Sequence, residues 1–216
     1  PWTMGGRAPS SQGRTRANPG VSNPYGLALS PDGTRLAFDA PVDEVAGADD
    51  PGPDHNDNQT DLWILDLASG DLENHTRDFE PTIAGGSYVT NRGGAVFWDA
   101  SDRIGFTGLY DRRVKLYFYD PDRREMTAYD LATPGGSQFA ASEGEGTRLV
   151  YYGDVLEAPG DVYTLDWRRD RNERLFQLHP EYRELIGDSP RIETFDYVNS
   201  DWVTIPGFLF YPRGYD

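Results

Sequence analysis

The sequence predicts an all-β protein: a partial β-propeller of about three four-stranded blades, followed by a β-hairpin. Two recurring signals and their spacing predict it. The first is a tight turn that opens a short apolar strand. Ser30-Pro31-Asp32-Gly33 leads into Leu36-Ala37-Phe38, and the same build returns at Asp102-Arg103-Ile104-Gly105-Phe106 and Gly146-Thr147-Arg148-Leu149-Val150-Tyr151. Pro presets φ in such a turn, Asp bonds its own backbone, and Gly accepts positive φ. The second is a β-rich run ending in Asp. It occurs at Asp61-Leu62-Trp63-Ile64-Leu65-Asp66, Lys115-Leu116-Tyr117-Phe118-Tyr119-Asp120 and Asp161-Val162-Tyr163-Thr164-Leu165-Asp166. These runs start 54 and 46 residues apart, near the ~40–45-residue period of a propeller blade stretched by loop insertions. A β-sandwich with coincidental turns is the alternative, but both signals recur together in the same order. A closed ring needs about 4–8 blades, so the rest of the ring is expected elsewhere.

Residues 1–22 are rich in Gly, Ser, Arg, Pro and Asn and have little to bury, so they read as an extended lead-in. A frayed strand around Trp2-Thr3-Met4 fits there as well. Blades are expected over 23–181. In the first, strands at 25–29, 34–39, 62–67 and 71–75 flank a long insertion at 41–60. That insertion carries Asp43, Glu44, Asp49, Asp50, Asp54 and Asp57 and reads as an exposed acidic loop. The second blade has strands at 94–98, 104–107, 114–120 and 126–129, and the third at 138–140, 148–152, 162–166 and 173–177. Residues 182–216 break the repeat, with strands at 192–198, 202–205 and 207–211 around an Asn199-Ser200-Asp201 turn.

The composition agrees. Gly at 24, Pro at 16 and aromatics at 13% suit short strands joined by turns. No apolar run is long enough to span a membrane, and no apolar leader segment is visible at the start. The chain has no cysteine, so it offers neither disulfide nor thiolate; this fits a cytoplasm without requiring one, and a cytoplasmic location is expected, with a periplasmic or secreted one left open should a leader precede these residues. A net charge of −16 would repel phosphate, so no nucleic-acid partner is expected. Lys115 is the lone lysine. An acidic, lysine-poor surface fits a salt-adapted organism and an Arg-rich genome alike.

Residues that could carry chemistry are few. A nucleophile elbow needs Gly-x-Ser-x-Gly between a strand and a helix. Gly85-Gly86-Ser87, Gly135-Gly136-Ser137 and Gly187-Asp188-Ser189 match it in part, and each lacks the final Gly. His55, His75 and His179 are solitary in sequence, whereas a general base needs a nucleophile and an orienting carboxylate within reach. Asp54, Asn56 and Asn58 resemble the start of a calcium loop, but Gln59 stands where Gly is needed and Leu65 where a bidentate Glu is needed. Asn58 and Asn74 head glycosylation sequons. Tyr117-Phe118-Tyr119 alternates at strand spacing and reads as blade packing. No catalytic, cofactor-binding or metal-ligating residue and no cofactor is therefore assigned within the chain.

The tail carries a resemblance. Phe195-Asp196-Tyr197, a polar turn, Ile205-Pro206-Gly207-Phe208-Leu209 and Pro212-Arg213-Gly214-Tyr215-Asp216 resemble the propeller-to-hydrolase junction of the prolyl oligopeptidase family of serine peptidases. The acylaminoacyl-peptidase and dipeptidyl-peptidase-like branch is the nearest in pattern. Ser30-Pro31-Asp32-Gly33 with Leu36-Ala37-Phe38 is similar to the family's blade motif, and Ala158-Pro159-Gly160-Asp161-Val162-Tyr163 to a late-blade motif. The resemblance covers residues 23–216. Asn199-Ser200-Asp201 departs from the family's Asp-Gly turn, and His75-Thr76 and Leu178-His179 depart from its blade-ending Leu-Thr. The resemblance implies a seven-bladed propeller over an α/β-hydrolase domain that the hairpin begins. It implies a Ser-Asp-His triad beyond residue 216 and a propeller that admits short peptides only. The implied partners are short peptide substrates and the hydrolase domain in cis, with no membrane and with a homo-oligomer left open. A TolB-like propeller that binds proteins or peptides without catalysis is the alternative. A sugar-processing propeller ranks lower, because no paired carboxylates stand out from the acidic background.

Overall fold

Asp32 and Ser30 build the first turn from within. The Asp32 carboxylate accepts the Thr34 N–H at 3.0 Å and the Ser30 hydroxyl at 2.7 Å, while Ser30 Oγ accepts the Arg35 N–H at 2.9 Å. Gly33 supplies φ +72°. The bond from Ser30, then those from Thr34, hold the Asp32 carboxyl down at about 2. This turn joins β1 (Leu27–Leu29) to β2 (Arg35–Pro41), with Leu29 opposite Leu36. The computed structural model describes residues 26–41, 60–83, 96–110, 112–141, 147–155, 158–186, 191–212 and 214–215.

The aspartates that end the recurring runs cap the next turn. Asp66 Oδ1 accepts N–H bonds from Ala68 and Ser69, Asp120 Oδ1 from Asp122 and Arg123, and Asp166 Oδ1 from Arg169. Each such turn folds a third strand back onto a fourth. β3 (Thr60–Asp66) thus pairs with β4 (Leu72–Asn74), and the first sheet has the order β1-β2-β3-β4. In the second sheet, β7 (Ile104–Tyr110), β8 (Arg113–Asp120) and β9 (Glu125–Asp130) follow in order. Both β5 (Thr82–Ile83) and β6 (Val96–Trp98) pair along one edge of β7, opposite residues 108–109 and 104–106 respectively. The third sheet has the order β10 (Gly135–Ala141), β11 (Arg148–Val155), β12 (Ala158–Asp166), β13 (Arg171–Phe176).

The register makes the sheets equivalent. Phe38 stands opposite Trp63, Phe106 opposite Tyr117 and Tyr151 opposite Tyr163. The last two pairs stack at 5.5 and 5.6 Å between centroids. Because side chains alternate along a strand, each sheet turns this aromatic pair one way and a smaller apolar row the other. Two seams result. Ala37, Leu62 and Ile64 of the first sheet meet Ile83, Ile104, Phe106, Tyr117 and Tyr119 of the second. Val114, Leu116 and Phe118 of the second meet Leu131, Leu149, Tyr151, Leu165 and Trp167, which join the third. Phe38, Ala40 and Trp63 form a further cluster on the far face of the first sheet.

The chain then changes character. After β13 comes α1 (Pro180–Ile186), which spans the expected boundary between 181 and 182. It begins on Pro, whose missing N–H costs nothing at a helix start, with Glu181 in the first turn. The hairpin follows as β14 (Ile192–Val198) and β15 (Thr204–Phe210). Two strands were expected over 202–211. One forms, because Trp202 sits in the turn at φ +64° and the strand runs on through Pro206 and Gly207, opposite Asp196 and Phe195. Pro206 is tolerated because β15 has a partner on one side only among the described residues.

Candidate functional site

In each sheet, second strands end and third strands begin at one end. Most of the distinctive chemistry gathers there. Asp61 is the second residue of β3, opposite Ala40, and Asp161 lies in β12 opposite Gly153, at the matching position. Both carboxylates are buried. Asp61 accepts the Asn74 side-chain amide at 2.7 Å and the Thr76 hydroxyl at 3.3 Å. Thr76 Oγ1 in turn accepts the Leu62 N–H at 2.8 Å. Asp161 accepts the Leu178 N–H at 3.1 Å and Arg174 at 3.3 Å. Lys115 holds the same position in β8, opposite Gly108, and its ammonium meets Asp130 at 3.0 Å. A charged group thus ties the third strand of each blade sheet to the end of the fourth or just beyond it, with the sign reversed in the second.

Asp39 lies near the same end, in β2 opposite Leu62. Its side chain is 1% exposed, and Oδ1 accepts the Gly26 N–H at 2.6 Å. Burial pushes this carboxyl up to about 7, against the pull of the Gly26 N–H. In the second sheet, Arg112 turns the corner into β8 at φ +65°. Its guanidinium donates to Asp196 at 3.1 Å and to the Phe195 carbonyl at 3.4 Å, and lies 5.9 Å from the Phe208 ring. These contacts fix the hairpin to the second sheet.

The hairpin is apolar on both faces. Phe195, Tyr197, Ile205 and Leu209 share one face, and Ile192, Val198, Phe208 and Phe210 the other. Phe195, Tyr197, Val198, Leu209 and Phe210 stay substantially exposed, and Trp202 at the tip is 88% exposed. A strand pair of this composition is suited to burial on both sides.

The residues singled out in sequence fall variously. His75 is not solitary in space. Nδ1 lies 3.0 Å from the Tyr119 hydroxyl and Nε2 lies 3.5 Å from Glu73, which also binds Arg124. Burial lowers the His75 value below the ordinary imidazole range, ahead of the opposing pull of Glu73, and favours a neutral ring at pH 7. The contact clamps β4 against β8 rather than activating a nucleophile. His179 is half-exposed and lies 3.7 Å from Glu181. Ser137 sits inside strand β10, not on a strand-to-helix turn. Ser87, Ser189, His55, Asp54, Asn56 and Asn58 lie outside the described residues, as does the acidic stretch at 42–59. Leu65, the twelfth place of the calcium-like pattern, is a β3 residue packed against the Phe38–Trp63 cluster. Asn74 heads a sequon, but its amide is bonded to Asp61 and its carbonyl oxygen accepts the Thr76 N–H at 2.9 Å. Among the described residues no group of His, Asp and Glu has the arrangement of a metal site. No helix among them is long and apolar enough to cross a membrane.

Solved structures share this arrangement of sheets. TolB from Acinetobacter baumannii aligns over 88% of this chain and 41% of its own, at 12% identity and a TM-score of 0.51. The chain carries part of a β-propeller. An acylaminoacyl peptidase from Pyrococcus horikoshii aligns over 86% of this chain and 25% of its own, at 16% identity and a TM-score of 0.55. The AtxE2 isopeptidase, in a variant with an astexin-3 peptide bound, aligns over 90% and 26%, at 14% identity and a TM-score of 0.56. The chain therefore spans about a quarter of these peptidases and less than half of TolB. No protein-family model matches the sequence. No curated protein matches it either. Within the propeller, sequence reasoning missed Asp39 and Arg112 as notable groups. An isolated Asp in a strand and an Arg in a turn carry no sequence signal. Only the positive φ and the burial reveal them.

Proposed function

We propose that the chain is the propeller portion of a serine peptidase of the prolyl oligopeptidase family. In this reading the sheets stand beside an α/β-hydrolase domain begun by the hairpin, and they admit short peptides while excluding folded proteins. The blades occupy 23–181 and the junction 182–216. The observation that carries the reading is the hairpin itself: it follows the blades, is apolar on both faces, and is held to the second sheet through Arg112 and Asp196. Such a strand pair makes sense as the first layer of a second domain. The likeness to an acylaminoacyl peptidase supports it, since that is the branch whose junction the tail resembles. Proteolysis would pass through an acyl-enzyme, with a serine attacking the carbonyl, a histidine moving the proton and backbone N–H groups holding the oxyanion, all outside these residues. The role of this chain is to select substrate by size and to seat the hydrolase domain. We place the protein in the cytoplasm, on its lack of cysteine.

A ladder of peptides from dipeptide to folded protein, given to the full-length protein, tests this. Rapid cleavage of the short members and none of a folded protein is the expected outcome. Equal cleavage of a folded protein would overturn the size-selection role. A second reading, a TolB-like binding module without catalysis, draws on the likeness to TolB. It is favoured if the folded protein hydrolyses no member of the ladder.

A further inference from the structure

The seam between the first two sheets encloses a carboxyl that no role described above uses. Asp39 lies on the same face of β2 as Ala37, and that face packs against the second sheet. Oδ1 has the Gly26 N–H at 2.6 Å, and Oδ2 is buried without a hydrogen-bond partner among the described residues. The packing is tight: a Cβ at Gly26 would stand 2.9 Å from Asp39 Oδ1 and 2.9 Å from Val96 Cγ2. No described neighbour brings charge to the site: His75, which lies beyond Leu62 in the same seam, is bonded to the Tyr119 hydroxyl of β8, and burial favours its neutral ring. β1, β5 and β6 contain no titratable residue. β3 has Asp61 on its opposite face, one place from Leu62, and Asp66 at its far end. Arg35 lies at the other end of β2, and the titratable side chain of β7 is Tyr110, at its exposed end. An anion here would have only the Gly26 N–H and its own backbone N–H, with no counter-charge among the described residues, which is costly in an apolar seam.

We propose that Asp39 is a proton-operated clasp on the seam between the first two sheets: protonated, it stays buried and the seam closes, and on ionising it draws water in and the sheets part. The direction follows from linkage. The carboxyl titrates near 3.8 when hydrated and at about 7 when buried, so the closed seam holds the proton more tightly than the open one. Closure is at full strength below about pH 4, weakens by up to about tenfold per pH unit between 4 and 7, and levels off above.

Hydrogen exchange read by mass spectrometry on the full-length protein, from pH 5 to 8 and corrected for intrinsic exchange, tests this. Peptides covering β1–β3 and β6 should lose up to about tenfold protection per pH unit between 5 and 7. Peptides from the seam between the second and third sheets, around Leu116, Leu149 and Leu165, serve as the control and should not follow. In Asp39→Asn the slope should vanish. An equal slope in both seams of the wild-type protein, or a slope kept in Asp39→Asn, would overturn the proposal. If Asp39→Asn does not fold, the contrast between the two wild-type seams decides alone.

Discussion

Asp61, Lys115 and Asp161 occupy one structural position and solve one problem, the attachment of the outermost strand. They do so at different cost. Asp161 is buried, and removing it leaves the Leu178 N–H without its acceptor and Arg174 without its partner. Asp161→Ala should therefore destabilise by about 1–3 kcal/mol. The Lys115–Asp130 pair is 40% and 74% exposed, so Lys115→Ala should cost no more than about 1 kcal/mol. Urea unfolding of the two variants, measured side by side, checks the order, and the reverse order would count against it. The equivalence of these residues was legible in the sequence because the runs that contain them align. Their work was not, since Lys and Asp are unlike as letters and become alike only when Asp130 at the end of β9 meets one and the Leu178 N–H just past β13 meets the other. The terminal residues of the same runs were easier, because an Asp that ends a strand before a turn has an evident local use.

Elements divide in the same way. The four-stranded sheets were readable where turn chemistry and alternation coincide, as in β2, β3, β8 and β12. β5 escaped because two residues carry no period. α1 escaped because seven residues span barely two turns, although Pro180 and Glu181 are start signals in retrospect. The hairpin turn was placed correctly but ended late. Asn199 Oδ1 accepts both the Asp201 and the Val203 N–H at 2.9 Å, which draws Trp202 into the left-handed region. A bulky residue there stores about 1–2 kcal/mol of strain. Since Trp202 is 88% exposed, Trp202→Gly in this chain should leave stability unchanged or raise it, by up to about 1 kcal/mol. Thermal unfolding of the variant checks this, and a clear loss would mean that Trp202 is covered by something the hairpin binds.

Among the described residues the three blade sheets form a stack: the second and third each turn an aromatic pair to the sheet before, and the first and second turn the rows Ala37, Leu62, Ile64 and Val114, Leu116, Phe118 to the sheet after. Repetition is why the fold could be read from one sequence, since three imperfect copies reinforce one another where one would not. Function was less legible for a physical reason. Blades supply walls and seams, whose chemistry is generic, while catalysis rests on a few groups brought into contact, and none of the candidate serines is brought to a histidine among the described residues. The peptidase reading therefore depends on what the hairpin leads into. Labelling the full-length native protein with a fluorophosphonate, which reacts only with an activated serine, tests it most directly. The account predicts a labelled band well above the 24.2 kDa of this chain, blocked by a short peptide substrate. A folded native protein that takes no label would contradict it.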